Sequence, residues 1–183
     1  MLFRVWAPVA DSVQLVLGED RPQMTRGDEG WWSLDLPSVG AGTDYGFVVD
    51  GKGPLPDPRS PWQPHGVHGL SRTVDPGSFP WQCDDWPGTS LANAMIYELH
   101  TGTFTPAGTF DSAIEKLDHL VQLGATHIEV MPVAHFSGER GWGYDGVDLF
   151  APHEVYGGPD GLKRLVDACH SVSYTHLTLP TKA

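Results

Sequence analysis

The chain is poor in cations and cysteines and contains no long apolar run. Its 183 residues carry 11 Lys and Arg against 23 Asp and Glu, a formal net charge of −12. Such a balance offers no basic face to displace counterions, which argues against nucleic acid or an anionic membrane as a partner. No apolar stretch reaches the ~18 residues that a membrane span requires. The start, Met1-Leu2-Phe3-Arg4-Val5-Trp6, lacks the charged-then-apolar pattern of an export signal. A soluble, cytoplasmic protein is expected. Cys83 and Cys169 lie far apart with no CxxC spacing, and the nine histidines form no HxxxH or HExxH pair. Neither a metal site nor a cofactor is expected, and nothing in the sequence sets an oligomeric state.

What is present is core material and turns. Hydrophobic residues make up 40% of the chain and seven are tryptophan, while 22 glycines and 16 prolines favour frequent reversals over long helices. From residue 1 to about 82 the apolar residues alternate: Phe3 and Val5, then Val13, Leu15 and Leu17, then Trp32, Leu34 and Leu36, then Tyr45, Phe47 and Val49. Short period-two runs bounded by Gly18-Glu19-Asp20 and Asp50-Gly51 predict a small antiparallel β-sandwich. Trp6 and Trp32 are assigned to its core. Trp31, out of phase, and Trp62, on a proline-rich loop, are left as either sugar platforms or contacts to a neighbouring domain. The run from Pro54 to Pro64 is expected to be an ordered loop or strap, because proline removes ladder donors.

A second stretch rich in Pro and Trp, Asp75 to Gly88, reads as a seam between domains. Beyond it the period changes. Met95–Leu99 predicts a buried strand. A loop through Thr101–Pro106 follows, and then a helix from near Asp111 with Ala113, Ile114, Leu117, Leu120 and Val121 inward. Gly124 supplies a left-handed cap, and residues 126–133 predict the next strand, completing a βαβ unit. A long loop from about Ala134 to Gly158 leads to a helix opened by Pro159, with Leu162, Leu165, Val166 and Cys169 inward. The domains are therefore set at 1–82, a β-sandwich; 83–93, a linker; 94–170, an α/β portion; and 171–183, a Thr-rich tail with neither a capping glycine nor a clear strand. That tail is expected to be non-native and outside the fold.

The long loop carries the most informative run, Arg140-Gly141-Trp142-Gly143-Tyr144-Asp145-Gly146, followed by Tyr156-Gly157-Gly158-Pro159-Asp160-Gly161. Aromatic rings set among glycines at the rim of an α/β scaffold can stack on the apolar face of a pyranose while polar neighbours take its hydroxyls. From spacing alone, Trp142 and Tyr144 serve equally well as plugs holding the loop to the domain.

The order of Phe3-Arg4-Val5-Trp6-Ala7-Pro8, Tyr97 to Thr105, Gly108-Thr109-Phe110-Asp111, Glu129-Val130-Met131-Pro132-Val133 and the Trp142 to Gly161 run resembles the malto-oligosyltrehalose trehalohydrolases, within the α-amylase family of glycoside hydrolases. The resemblance implies a multi-domain β plus α/β protein: an immunoglobulin-like β-sandwich, related to starch-binding modules, followed by the first βαβα part of an incomplete (β/α)8 TIM barrel. It implies hydrolysis of the α-1,4 bond beside the terminal trehalose unit of a maltooligosyl trehalose, with that substrate or an α-1,4-glucan as partner. A retaining site uses an aspartate nucleophile and a glutamate acid/base about 5 Å apart. The resemblance puts these at later barrel strands. No catalytic residue is therefore assigned here, and Glu98, Glu129, Glu139, Asp145, Asp148 and Glu154 are not promoted in their place. Without those carboxylates, the chain alone is expected to be inactive. Substrate-binding residues carry over instead: Tyr144, matching the tyrosine that stacks under the sugar at the cleavage subsite, with Trp142, Asp145 and His100 beside it. A branching or debranching enzyme of the same family, or a non-catalytic glucan-binding module, are the alternatives.

Overall fold

The structure, a computed structural model, describes residues 1–83, 85–88 and 90–178. Two antiparallel sheets make up the first part. One orders β1 (Leu2–Trp6), β4 (Trp31–Asp35) and β3 (Thr25–Arg26). The other orders β2 (Val13–Val16), β5 (Asp44–Val49) and β6 (Lys52–Leu55), with β7 (Ser71–Arg72) also on β5. Phe3, Val5, Val13, Leu15, Trp32, Tyr45 and Phe47 fill the space between them, as the alternation predicts. Trp6 does not join them. It follows Phe3 and Val5 out of phase, so the pleat turns it outward, 59% exposed.

The proline-rich segment contributes Pro54 to the end of β6 and then runs as a pinned loop. Tyr45 donates to the Asp57 carboxylate at 2.8 Å, the Asp57 amide donates to Ser71 Oγ at 2.9 Å, and Ser71 Oγ donates to Gln63 at 2.5 Å. Side chains thus supply bonds that the missing proline amides cannot.

The second part orders β8 (Ile96–Leu99), β9 (His127–Val130) and β12 (Thr175–Thr178) as a parallel sheet with β9 central. Between β8 and β9 lie α1 (Thr101–Phe104), α2 (Phe110–Ile114) and α3 (Leu117–Leu123). The predicted loop after β8 is therefore one helical turn, and the predicted single helix is two. The chain leaves helical geometry at Lys116 (φ −106°, ψ 1°). The phase shift turns Val121 outward while Leu117 and Leu120 stay buried. A capping box between Thr109 and Ser112 starts α2, and Gly124 at φ 86° ends α3.

The long loop after β9 is also more ordered than its sequence suggests, since β10 (Ala134–His135) and β11 (Asp148–Pro152) pair antiparallel within it. Then α4 (Gly158–Ser171) packs Leu165 and Cys169 onto Phe110, Leu120 and Ile128. The tail departs most from expectation. Ser173 takes the left-handed position, φ 64°, where glycine is usual, and the Tyr174 amide donates to Cys169 O at 2.9 Å. Tyr174 is buried, and the next four residues pair with β9. Residues 171–178 thus belong to the fold, whereas 179–183, like Asp84 and Thr89 of the linker, lie outside the described residues.

Side chains join the two parts. Trp62 Nε1 donates to the Glu154 carboxylate at 2.7 Å, and the Arg59 guanidinium lies over the Phe150 ring at 5.6 Å. Asp167 of α4 accepts the amides of Gln82 and Cys83 at 2.9 and 3.0 Å. Trp62 is therefore a contact between the two parts, while Trp31 lies beneath Arg4 at 4.7 Å.

Candidate functional site

The carboxyl ends of β8 and β9 define the site. His100 follows β8 directly and its ring is held on both sides. Its Nε2 is 2.8 Å from Gly141 O, an acceptor only, so that nitrogen carries the proton, leaving Nδ1 to accept from Thr103 Oγ1 at 2.9 Å. Tyr156 donates to the same Gly141 carbonyl at 3.3 Å and lies 3.2 Å from His100 Nε2. The Trp142 ring leans on His100, centroids 4.9 Å apart and tilted by 49°.

These groups wall a cleft of about 490 Å³, within the range of small-molecule sites. Glu139 and Arg140 stand on its lip. The tight packing beneath depends on glycine: a Cβ at Gly102 would meet the His100 and Tyr156 rings at 3.0 and 3.1 Å. At Gly143 the backbone has φ 85° and a Cβ would fall on the Pro132 carbonyl oxygen. That bend separates the rings on either side. Trp142 leans into the cleft yet stays 62% exposed, whereas Tyr144 stands on the adjoining rim, 56% exposed and off the cleft lining.

Of the four residues singled out in the sequence, His100 and Trp142 come together, while Tyr144 and Asp145 occupy the neighbouring surface. Asp145 is exposed, and its charge adds to burial, the larger cause, in raising the Tyr156 phenol above its ordinary value. Tyr156 itself was not singled out. Its position eight residues after β11's first residue carries no local signal, and its role comes from meeting His100 across 56 residues of sequence. Glu139 is the one carboxylate among the residues lining the cleft. Among the described residues, no group of three or more His, Cys, Asp or Glu could hold a metal ion.

The family model for carbohydrate-binding module 48 (isoamylase N-terminal domain) matches residues 1–63, most of the sandwich. A malto-oligosyltrehalose trehalohydrolase of Arthrobacter ramosus is 53% identical over 187 residues, covering 96% of this chain and 32% of the relative. The similarity to malto-oligosyltrehalose trehalohydrolases of several organisms runs over nearly the whole of this chain. The chain spans about a third of the length of the curated relatives it matches. A crystal structure of an α-amylase from Salmonella typhimurium superposes with a TM-score of 0.94 at 48% identity, covering 97% of this chain and 30% of that one. The 1,4-alpha-glucan branching enzyme of Vibrio parahaemolyticus is more distant, 35% identical over 92% of this chain and 25% of its own length.

Proposed function

We propose that this chain supplies the β module and part of the sugar-holding rim of a glycoside hydrolase that releases trehalose from maltooligosyl trehalose. The observation that carries the proposal is 53% identity to a trehalohydrolase over an alignment that covers 96% of the chain, against 35% to a branching enzyme. In this reading the parallel strands begin a (β/α)8 barrel, whose active sites lie at the carboxyl ends of the strands. The position of the His100 cleft, after β8 and β9, supports it. Trp142 and Tyr144 offer ring faces to successive glucosyl units of an α-1,4-glucan, His100 and Tyr156 set the floor, and Asp145 takes hydroxyls at the rim.

The chemistry needs more than this rim provides. Retaining hydrolysis uses two carboxyl groups about 5 Å apart, and Glu139 alone faces the cleft. Residues 1–183 by themselves are expected to hydrolyse nothing. The test is to supply the full-length protein with maltotriosyltrehalose and assay free trehalose. Trehalose release is expected, and Trp142→Ala should raise KM roughly tenfold through loss of a stacking face. New α-1,6 branches with no trehalose would overturn the proposal in favour of a branching enzyme. Glucan binding without any turnover would favour a non-catalytic module.

A further inference from the structure

Trp142 is 62% exposed and leans on the His100 ring, centroids 4.9 Å apart. Packing so thin does not fix where its ring points. An exposed side chain samples several rotamers, and ordering it against a ligand costs affinity. A sugar platform at this position therefore needs a fixed backbone beneath it.

That backbone is held on both sides of Trp142. Before it, the Gly141 carbonyl accepts from two side chains, His100 Nε2–H at 2.8 Å and the Tyr156 hydroxyl at 3.3 Å. After it, Gly143 turns at φ 85° so close to Pro132 that a Cβ would fall on the Pro132 carbonyl oxygen. The two holds come from neighbouring strand ends, since His100 directly follows β8 and Pro132 lies just beyond β9. Both donors are themselves held. Thr103 Oγ1 donates to His100 Nδ1 at 2.9 Å, which keeps the His100 proton on Nε2. The Tyr156 ring, 2% exposed, packs against Phe110 and Phe136. Gly141 has little room to shift, because even a Cβ there would meet the Phe136 ring at 3.0 Å.

We infer that His100 and Tyr156 are positioning residues, whose two hydrogen bonds clamp the Gly141 carbonyl and thereby set the Trp142 ring for a glucosyl unit. This role depends on the sugar-holding rim proposed for the chain, and the effect of both residues passes through Trp142. Neither needs to touch the sugar.

Substitutions in the full-length protein separate the clamp from the ring contact. Glutamine carries its amide N–H about where Nε2 stands, whereas asparagine reaches only as far as Nδ1, so His100→Gln keeps the donor to Gly141 and His100→Asn loses it. Both lose the ring against Trp142, so the difference between them reports the clamp. With fluorotryptophan incorporated, the Trp142 signal is identified by its disappearance in Trp142→Ala. Fluorine relaxation without sugar should then show a more mobile Trp142 ring in His100→Asn than in His100→Gln. Affinity for maltoheptaose should fall about tenfold in His100→Asn, and His100→Gln should recover most of that loss. Tyr156→Phe, which keeps the buried ring and deletes only the hydroxyl, should weaken binding about threefold. In a Trp142→Ala background each loss should shrink to less than about twofold, because the ring that the clamp sets is gone. Losses of equal size with and without Trp142 would overturn the assignment, as would equal ring mobility in the two His100 variants. A parent protein that binds no maltoheptaose would instead overturn the sugar-holding rim, and the sugar-free relaxation then decides the clamp by itself.

Discussion

The two parts of this molecule satisfy their apolar residues in different ways. The sandwich closes on itself: its sheets face one another, and alternate residues of β1, β2, β4 and β5 meet between them. The parallel sheet covers one side with α2 and α4, yet leaves Met95, Ile96, Val121 and Leu123 exposed, along with Trp142, Tyr144, Val147, Leu149 and Phe150 toward the cleft and hairpin. Parallel sheets are normally buried on both faces, so the second part relies on further surfaces that the first does not need. Two core substitutions put this contrast to its severest test. Phe47→Ala and Phe110→Ala each empty a fully buried ring site and should cost about 3–5 kcal/mol. In hydrogen exchange, Phe110→Ala should strip protection from β8, β9 and α4 while β2 and β5 keep theirs, and Phe47→Ala should do the reverse. Uniform loss in either variant would show a single cooperative unit.

A buried carboxylate in each part sharpens the comparison. Burial raises Asp57 in the sandwich, but the Arg59 amide and the Tyr45 hydroxyl both donate to it. In the α/β part Asp148 has a buried Oδ2 without a partner, and burial lifts it to about 6, with His68 opposing slightly. Because the folded state holds that proton more tightly than the unfolded chain, Asp148 makes stability fall as pH rises from its ordinary carboxylate range through 6. His153, held down at about 4, binds its proton less tightly when folded, so it makes stability rise over much of the same window. The two slopes oppose. Asp148→Asn removes the first, and urea midpoints measured from pH 4 to 7 should then climb more steeply with pH than in the parent chain. An unchanged slope would mean that Asp148 is already ionised there.

The same contrast governs what the sequence discloses. Alternation is local, so Phe3, Val5, Leu15 and Phe47 reveal their face without reference to anything distant, and by the same rule Trp6, one residue out of phase, belongs outside. β10 and β11 escape notice because their pairing slips between Ala134 and His135, which erases any period. The strand after α4 escapes for another reason. A parallel ladder is made by backbone groups on β9, and Ser173 occupies the left-handed turn where a glycine would have announced it. In the site, His100 is legible from its place at a strand end. Tyr156 acquires meaning only when segments far apart in sequence meet, which no spacing rule encodes.

The smallest expected effect lies at the seam itself. Trp62→Phe keeps an aromatic ring beneath Arg72, now 5.0 Å from the indole, and deletes only the N–H that reaches Glu154. Both residues are half-buried, so the lost bond to a carboxylate should cost about 1 kcal/mol. A double-mutant cycle with Glu154→Gln isolates the pair, since any loss through the ring alone appears in both backgrounds and cancels. If the seam is a polar latch between two separately closed cores, the coupling should show in the midpoint of the α/β part, while exchange protection within β2 and β5 stays as it was. Coupling that spreads into the sandwich would instead make Trp62 a continuation of its core, and the two parts would differ less than their exposed residues suggest.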